Sequence, residues 1–228
     1  MKTSKKLLAG AVAASLAISA MAPVANAEVS ASVGVASSYL WRGIDLGAGY
    51  GNPAVSGDLS YSNEGFYAGT WVSSGDGSGG TEYDLYAGFG AEVSEVNIDL
   101  SVWSYQYPTA STRYVGVDGD MAVVVPIESE SNIGDLMEAV LSIGYGPVSL
   151  SYYHGLQDLE EYYYVNAGVT FGAFSLNAGA HDDDMTHVDL SYAYNDNLSF
   201  IFSQVVDDVE GAYDDDLNVV VSYSLPIE

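Results

Sequence analysis

The chain contains no cysteine. That removes disulfide staples and thiolate metal sites together, so stability must come from packing or from a completed hydrogen-bond network. Basic residues are nearly as scarce, with five Lys and Arg against 31 Asp and Glu. Three of the five are Lys2, Lys5 and Lys6. Beyond residue 27 only Arg42 and Arg113 remain, so two cations face 31 acids, a balance of −29. Such a chain lacks the cations that neutralise phosphates, which excludes nucleic acid as a partner. The same charge disfavours adsorption onto anionic lipid. Prolines number only six. A transmembrane helix is also missing. Tyr162 to His181 is uncharged and long enough to cross a bilayer. Yet it holds a polar or small residue at every second position, and Gly172 near its midpoint, which does not suit a membrane helix.

What is present begins with the N-terminus. The three lysines precede an apolar stretch from Leu7 to about Met21, and Ala25-Asn26-Ala27 follows as a small-x-small cleavage site. This is the layout of a secretory signal peptide over residues 1–27, with the mature chain over 28–228. The alternative is an uncleaved N-terminal anchor. Gly (25 residues) and Tyr (19 residues) are abundant. With few prolines, that composition favours strands over helices.

Alternation with a period of two runs through nearly all of the remaining chain. At 83–93, Tyr83, Leu85, Ala87, Phe89, Ala91 and Val93 share one face, and at 96–102 Val96, Ile98, Leu100 and Val102 do the same. Twelve such segments are expected, near 29–43, 53–62, 66–74, 82–92, 96–107, 135–145, 147–156, 161–171, 173–181, 186–195, 197–206 and 215–225. Most have the nine to eleven residues that a tilted strand needs to cross a membrane. Their connections alternate between very short and longer. Apolar faces end in aromatics near the short turns, at Tyr61, Phe66, Tyr145, Phe171 and Phe174.

These features together predict an all-β fold: a closed antiparallel transmembrane barrel of about twelve strands, with short periplasmic turns and longer extracellular loops. A soluble β-sandwich would also alternate, but it would not explain the regular loop lengths or the aromatic ends. The last segment, Val219-x-Val221-x-Tyr223-x-Leu225, resembles the C-terminal signal read by the barrel assembly machinery. The expected location is the Gram-negative outer membrane after export by the general secretory pathway. The expected partners are outer-membrane lipid and lipopolysaccharide.

The segments "VGVASSYLWRGIDL", "GNPAVSGDLSYSNEGFYAGTWVSS", "TEYDLYAGFGAEVSEVNIDLSVWSYQYP" and "SIGYGPVSLSYYHG" resemble the TorF family of proteobacterial outer-membrane porins. The resemblance is strongest over residues 33–107. It implies a barrel and a channel, and names no substrate.

Parity places Arg42 on the small and polar face of the first strand. Asp58, Asp84, Asp99 and Asp189 fall on the corresponding faces of theirs, as do Tyr162, Tyr164, Asn166 and Asn177. All nine are pore-lining candidates. Arg42 then has two readings: a constriction charge that tunes ion selectivity, or a lumen salt bridge that keeps strand one in register. Residues 108–134 either fold inward as a constriction or form a hairpin beyond the barrel. Asp182, Asp183 and Asp184 head a set of acidic loop clusters where divalent cations would be held loosely; the other reading is a solvated rim. No other cofactor is expected.

His181 and His187 flank Asp182 to Asp184, but no nucleophile in a recognisable context accompanies them, so an enzyme is not expected. The expected function is passive diffusion of ions or small polar solutes, with a preference for cations. The alternative is a non-conducting structural or adhesive barrel, filled by side chains such as Trp103, Tyr105, Tyr162 and Tyr164.

Overall fold

The computed structural model describes residues 27–47, 53–77, 79–107, 112–118, 121–126, 133–209 and 211–227. All of the expected signal peptide but its last residue, Ala27, lies outside them. Among the described residues no helix is long and apolar enough to cross a membrane.

The strands are β1 (Glu28–Ala36), β2 (Leu40–Trp41), β3 (Ile44–Asp45), β4 (Ala54–Asn63), β5 (Phe66–Asp76), β6 (Gly80–Val93), β7 (Val96–Gln106), β8 (Thr112–Asp118), β9 (Met121–Pro126), β10 (Leu136–Tyr145), β11 (Val148–Gln157), β12 (Tyr163–Phe171), β13 (Phe174–His181), β14 (Thr186–Ala193), β15 (Leu198–Asp207) and β16 (Asn218–Ile227). Twelve close into a barrel in the order β1-β16-β15-β14-β13-β12-β11-β10-β7-β6-β5-β4, every neighbouring pair antiparallel. Two short pairs stand apart from this sheet: β2 with β3, and β8 with β9. Closure leaves no unpaired edge, which a sheet in hydrocarbon cannot tolerate.

Side-chain alternation now has a physical assignment. Leu59, Leu85, Leu100, Leu141, Leu150, Leu176 and Leu190 are all exposed on the outer wall. Their strand neighbours Asp84, Asp99, Ser101, Ser142, Ser151 and Asp189 are buried on the inside. This is the reverse of a soluble core: apolar outside, polar within, as lipid demands. Exposed aromatics form a band at each end of the wall. Tyr61, Phe66, Phe89, Tyr145, Phe171 and Phe174 lie toward the tight turns, and Tyr83, Tyr152 and Tyr163 toward the long connections.

The tight turns at Glu64-Gly65, Ser94-Glu95, Gly146 and Gly172 carry the positive φ of the primed kind that matches strand twist. Ser94 and Glu95 both take positive φ, 50° and 69°. Gly172 has φ 59° between the paired Phe171 and Phe174. Asn195 uses its side-chain Oδ1 to accept the backbone N–H groups of Asn197 and Leu198, at 2.9 and 2.8 Å. The uncharged stretch from Tyr162 to His181 is therefore a hairpin, β12 and β13.

Most boundaries lie within about three residues of the alternation pattern, but the first strand is a correction. It ends at Ala36, not residue 43. The chain leaves the wall at Ser37, folds back on itself, and rejoins the wall at β4.

Candidate functional site

Residues 37–47 form a small hairpin, with β2 and β3 as its arms and Arg42-Gly43 as its tip. Three local interactions shape it. Ser38 Oγ donates to Asp45 Oδ1, Asp45 Oδ1 also accepts the N–H of Gly47 at 2.9 Å, and Leu46 N–H donates to the Tyr39 carbonyl at 2.8 Å. The tip needs left-handed backbone, with φ 48° at Arg42 and 85° at Gly43. A Cβ on Gly43 would sit 2.4 Å from Cγ of His187, so only glycine lets the tip approach that ring.

His187 points into the barrel from β14. The hairpin therefore lies inside the barrel, at the end where the long connections are. Tyr39, Leu40 and Ala36 pack with Ala54, Ile201 and Val220, flanked by Trp41, Leu46 and Trp71. Burial of this apolar patch is the non-directional part of the docking.

The directional part centres on Arg42. Its Nη1 donates to Glu138 Oε1 at 2.7 Å and its Nη2 to Oε2 at 2.6 Å, a bidentate ion pair with both side chains almost fully buried. Nη1 also donates to Tyr162 Oη at 2.8 Å. The guanidinium lies 4.2 Å from the Tyr153 ring centre, 4.7 Å from Trp41 and 4.8 Å from Tyr164. Tyr105 donates its hydroxyl to Glu138 Oε2 at 2.5 Å.

Two histidines complete the cradle. His181 Nε2 lies 2.9 Å from the Arg42 carbonyl, which can only accept, so Nε2 carries the proton. Its Nδ1 then accepts from the Tyr162 hydroxyl at 3.1 Å. His187 Nδ1 donates to Asp189 Oδ1 at 3.1 Å, and its Nε2 accepts from Tyr164 at 2.9 Å. A second tether lies across the lumen, where Tyr39 donates to Glu82 Oε2 at 2.5 Å.

All nine pore-lining candidates point into the barrel, at different depths. Arg42, Tyr162, Tyr164 and Asp189 meet at the hairpin, with Asp84 beside it. Asn166 donates to Tyr164 Oη at 3.2 Å, one step deeper. Asp58 and Asp99 sit toward the turn end, accepting from Tyr86 (2.7 Å) and Tyr67 (2.8 and 3.0 Å). Asn177 is half-buried opposite Gly168.

Two expectations about Arg42 are corrected. It stands at the tip of an inward hairpin rather than on strand one, and its carboxylate partner is Glu138, which the parity argument did not single out. Glu138, Glu82 and Tyr39 were missed as site residues, and Tyr105, expected only as a bulky side chain filling the lumen, donates to Glu138. Glu138 carries the only charge in β10, on the same face as Val140 and Ser142, and that lone charge was the available signal. The occupied lumen comes from 37–47. Residues 108–134 contain β8 and β9, which pair with one another.

The acidic loops hold no converging set at 182–184. Asp183 Oδ2 accepts from Tyr213 at 2.5 Å and its Oδ1 from Met185 N at 3.2 Å. Partial desolvation, reinforced by Asp183, holds the Asp182 carboxyl above its ordinary value. Among the described residues the trio with converging carboxylates is Asp214, Asp215 and Asp216, all exposed.

A family model described as a bacterial protein of unknown function, Gcw_chp, matches residues 20–203. The chain belongs to this family. The match by itself does not confirm the TorF resemblance. No curated protein matches the sequence significantly. Among solved structures, the outer membrane phospholipase A of Escherichia coli is similar at 10% identity and TM-score 0.41, over 86% of this chain and 88% of that one. The Salmonella typhi outer membrane phospholipase dimer with bound calcium gives 11% and 0.41, over 86% and 89%. An engineered protein described for asymmetric conductivity gives 11% and 0.33, over 89% and 100%.

The expectation that the chain is not an enzyme is corrected by these neighbours. Phospholipase barrels stand among them. At these identities the likeness concerns fold alone and assigns no activity.

Proposed function

We propose that this outer-membrane barrel is a gated conduit for ions or small polar solutes, closed in this conformation by the hairpin 37–47. The observation that carries the reading is the bidentate Arg42–Glu138 pair, which pins the hairpin tip to the far wall. A hairpin held by a charged latch has two arrangements, docked and released, and the released one uncovers a polar interior. The TorF resemblance of residues 33–107 supports the same reading.

The solute preference follows from charge. Asp58 and Asp99 line the turn-end half of the lumen, and Arg42 is neutralised by Glu138. The lumen field is negative and favours cations. The tight turns and both strand ends, Glu28 and Ile227, face the periplasm in this reading, and the long acidic connections face outward. There, loosely held divalent cations at the Asp182–Asp184 loop would bridge to lipopolysaccharide phosphates. Export by the general secretory pathway and insertion by the barrel assembly machinery complete the picture.

A second reading is a non-conducting barrel. It is favoured by the complete burial of inward side chains such as Val140, Asp189 and Ser203. Planar-bilayer recording separates the two. The conduit predicts small, infrequent openings for wild type, larger and longer ones for Arg42→Ala, and a reversal potential on the cation side in a salt gradient. Absence of conductance in both proteins, with correct folding, would leave the non-conducting barrel.

A further inference from the structure

Most of what surrounds the Arg42 guanidinium belongs to the wall and is held by bonds that do not involve Arg42. Glu138 on β10 offers both carboxylate oxygens, at 2.7 and 2.6 Å, and Tyr162 offers its phenol oxygen at 2.8 Å. Tyr153 on β11 and Tyr164 on β12 present their rings to the cation, centred 4.2 and 4.8 Å from it. The hairpin itself supplies one ring, Trp41, at 4.7 Å. On the wall side, Tyr105 donates to Glu138 Oε2, and the Tyr162 hydroxyl proton is directed at His181 Nδ1. Tyr164 lies against Tyr153 with ring centres 5.4 Å apart, and it is tied through His187 to Asp189. Tyr153 and Tyr164 also pack with Val140 in a buried cluster of wall residues. Groups placed in this way need little reorganisation to receive a ligand.

The cage suits one kind of cation. The two Glu138 oxygens receive N–H groups from two different nitrogens, Nη1 and Nη2, and the Tyr162 oxygen receives a further one from Nη1. Only a planar fork makes that parallel pair while keeping its faces against aromatic rings; an ammonium is a point charge and does not. The rings add cation–π attraction, which is strongest where the cation is desolvated. Arg42 is the one Lys or Arg among the described side chains. It fills the cage as a tethered ligand, and a short tether gives an effective concentration on the order of millimolar. A free cation with the same head group competes for the same place whenever the tip is released.

We infer that the cage of Glu138, Tyr153, Tyr162 and Tyr164 is a binding site for small alkylguanidinium cations, with Arg42 as its built-in competitor. The inference rests on the reading of residues 37–47 as a releasable hairpin, and it names the solute class that holds the released state. With the tip docked, the cage is full. With the tip released, a guanidinium-bearing solute entering from the end of the long connections takes the place of Arg42 and keeps the hairpin off the far wall. The solute then shifts the equilibrium by binding one arrangement and not the other.

The test uses the full mature barrel in detergent, with ethylguanidinium as the probe and ethylammonium at equal concentration as the control. Arg42→Ala empties the cage. Calorimetric titration of this variant should show one ethylguanidinium per chain, bound about tenfold or more tighter than ethylammonium. Adding Glu138→Gln should weaken the probe by about tenfold or more. In the wild-type barrel, amide exchange at Leu46 reads the released population, which the probe multiplies by 1 + [L]/Kd. Exchange there should rise in proportion to the probe, to about elevenfold at ten times Kd, with ethylammonium far less effective and the wall amide of Leu100 unaffected. That measurement needs no variant, and it stands if Arg42→Ala fails to fold. No saturable binding to folded Arg42→Ala, equal affinity for the two cations, affinity indifferent to Glu138→Gln, or equal exchange at Leu46 in the two cations would each overturn the site. Planar-bilayer current judges the conduit separately. Binding without conductance in any of these proteins removes the conduit and leaves the cage, and current through Arg42→Ala without binding removes the cage and leaves the conduit.

Discussion

Removing either partner of the Arg42–Glu138 pair should cost far more than a surface ion pair. Both side chains are almost fully buried, and the two contacts measure 2.7 and 2.6 Å. Truncating one side of such a pair leaves an unpaired charge in the interior, a penalty of roughly 3–5 kcal/mol. The two truncations are not equivalent. Glu138→Gln leaves the guanidinium with the Tyr162 oxygen and the faces of Tyr153, Trp41 and Tyr164. Each such face contributes about 0.5–2 kcal/mol, so this variant belongs at the lower end. Arg42→Met leaves Glu138 with the Tyr105 hydroxyl, and belongs at the upper end. The double variant, Arg42→Met with Glu138→Leu, removes both charges. It should fall short of the summed single losses by about 2 kcal/mol or more.

The penalty has a ceiling, because the hairpin can leave. If undocking residues 37–47 costs less than burying a lone charge, the single variants release the hairpin and the barrel wall survives. Urea unfolding in detergent micelles reads the wall, and amide exchange at Leu46 and Gly77 reads the hairpin. These N–H groups bond to the Tyr39 and Leu46 carbonyls in the docked state. Fast exchange there with near-normal unfolding identifies release. Both single variants within about 0.5 kcal/mol of wild type, with exchange unchanged, would refute the latch.

Gly43→Ala should release the hairpin by a different route. It combines left-handed backbone at φ 85° with a Cβ only 2.4 Å from the His187 ring, costing about 1–2 kcal/mol for the backbone alone; normal exchange at Leu46 would show the tip to be placed elsewhere. Leu100→Arg tests the outer wall. Leu100 sits mid-strand, 59% exposed, beside Leu141 and Phe89, and a charge there at the bilayer midplane should cost about 2–4 kcal/mol in lipid vesicles. An effect below 1 kcal/mol would place that face out of lipid.

The barrel was legible because its rule is local. Period-two alternation and two-residue turns are written residue by residue, and Leu100 faces lipid whichever strand lies beside it. The interior was only half legible. Parity put Asp84, Asp99, Asp189, Tyr164 and Asn166 inside, but it could not pair them, since Arg42 and Glu138 lie 96 residues apart. The hairpin was lost for a sharper reason. Leu40, Trp41, Ile44 and Leu46 continue the apolar character of β1, so composition extends the strand past Ala36. The break lies at Ser37-Ser38, where Ser37 Oγ accepts the N–H of Val221 and Ser38 bonds to Asp45. Two serines among the many in strand interiors carry no distinct mark of a departure from the wall.

Apolar residues inside a transmembrane barrel have one inexpensive place to go, and that is against each other. Leu40 and Tyr39 would meet water in an open lumen, yet both are nearly fully buried against Ile201 and Val220. Docking is therefore favoured by the hydrophobic patch even before Arg42 finds Glu138. The latch adds orientation: the bidentate pair, the Arg42 carbonyl on His181 and the Tyr39 hydroxyl on Glu82 fix the tip at three separate wall strands, β10, β13 and β6. None of these three strands can shift relative to the other two without straining at least one of these bonds. Any event that opens this end of the lumen must therefore undo the patch and the latch together, which makes release of the hairpin a cooperative step rather than a gradual widening.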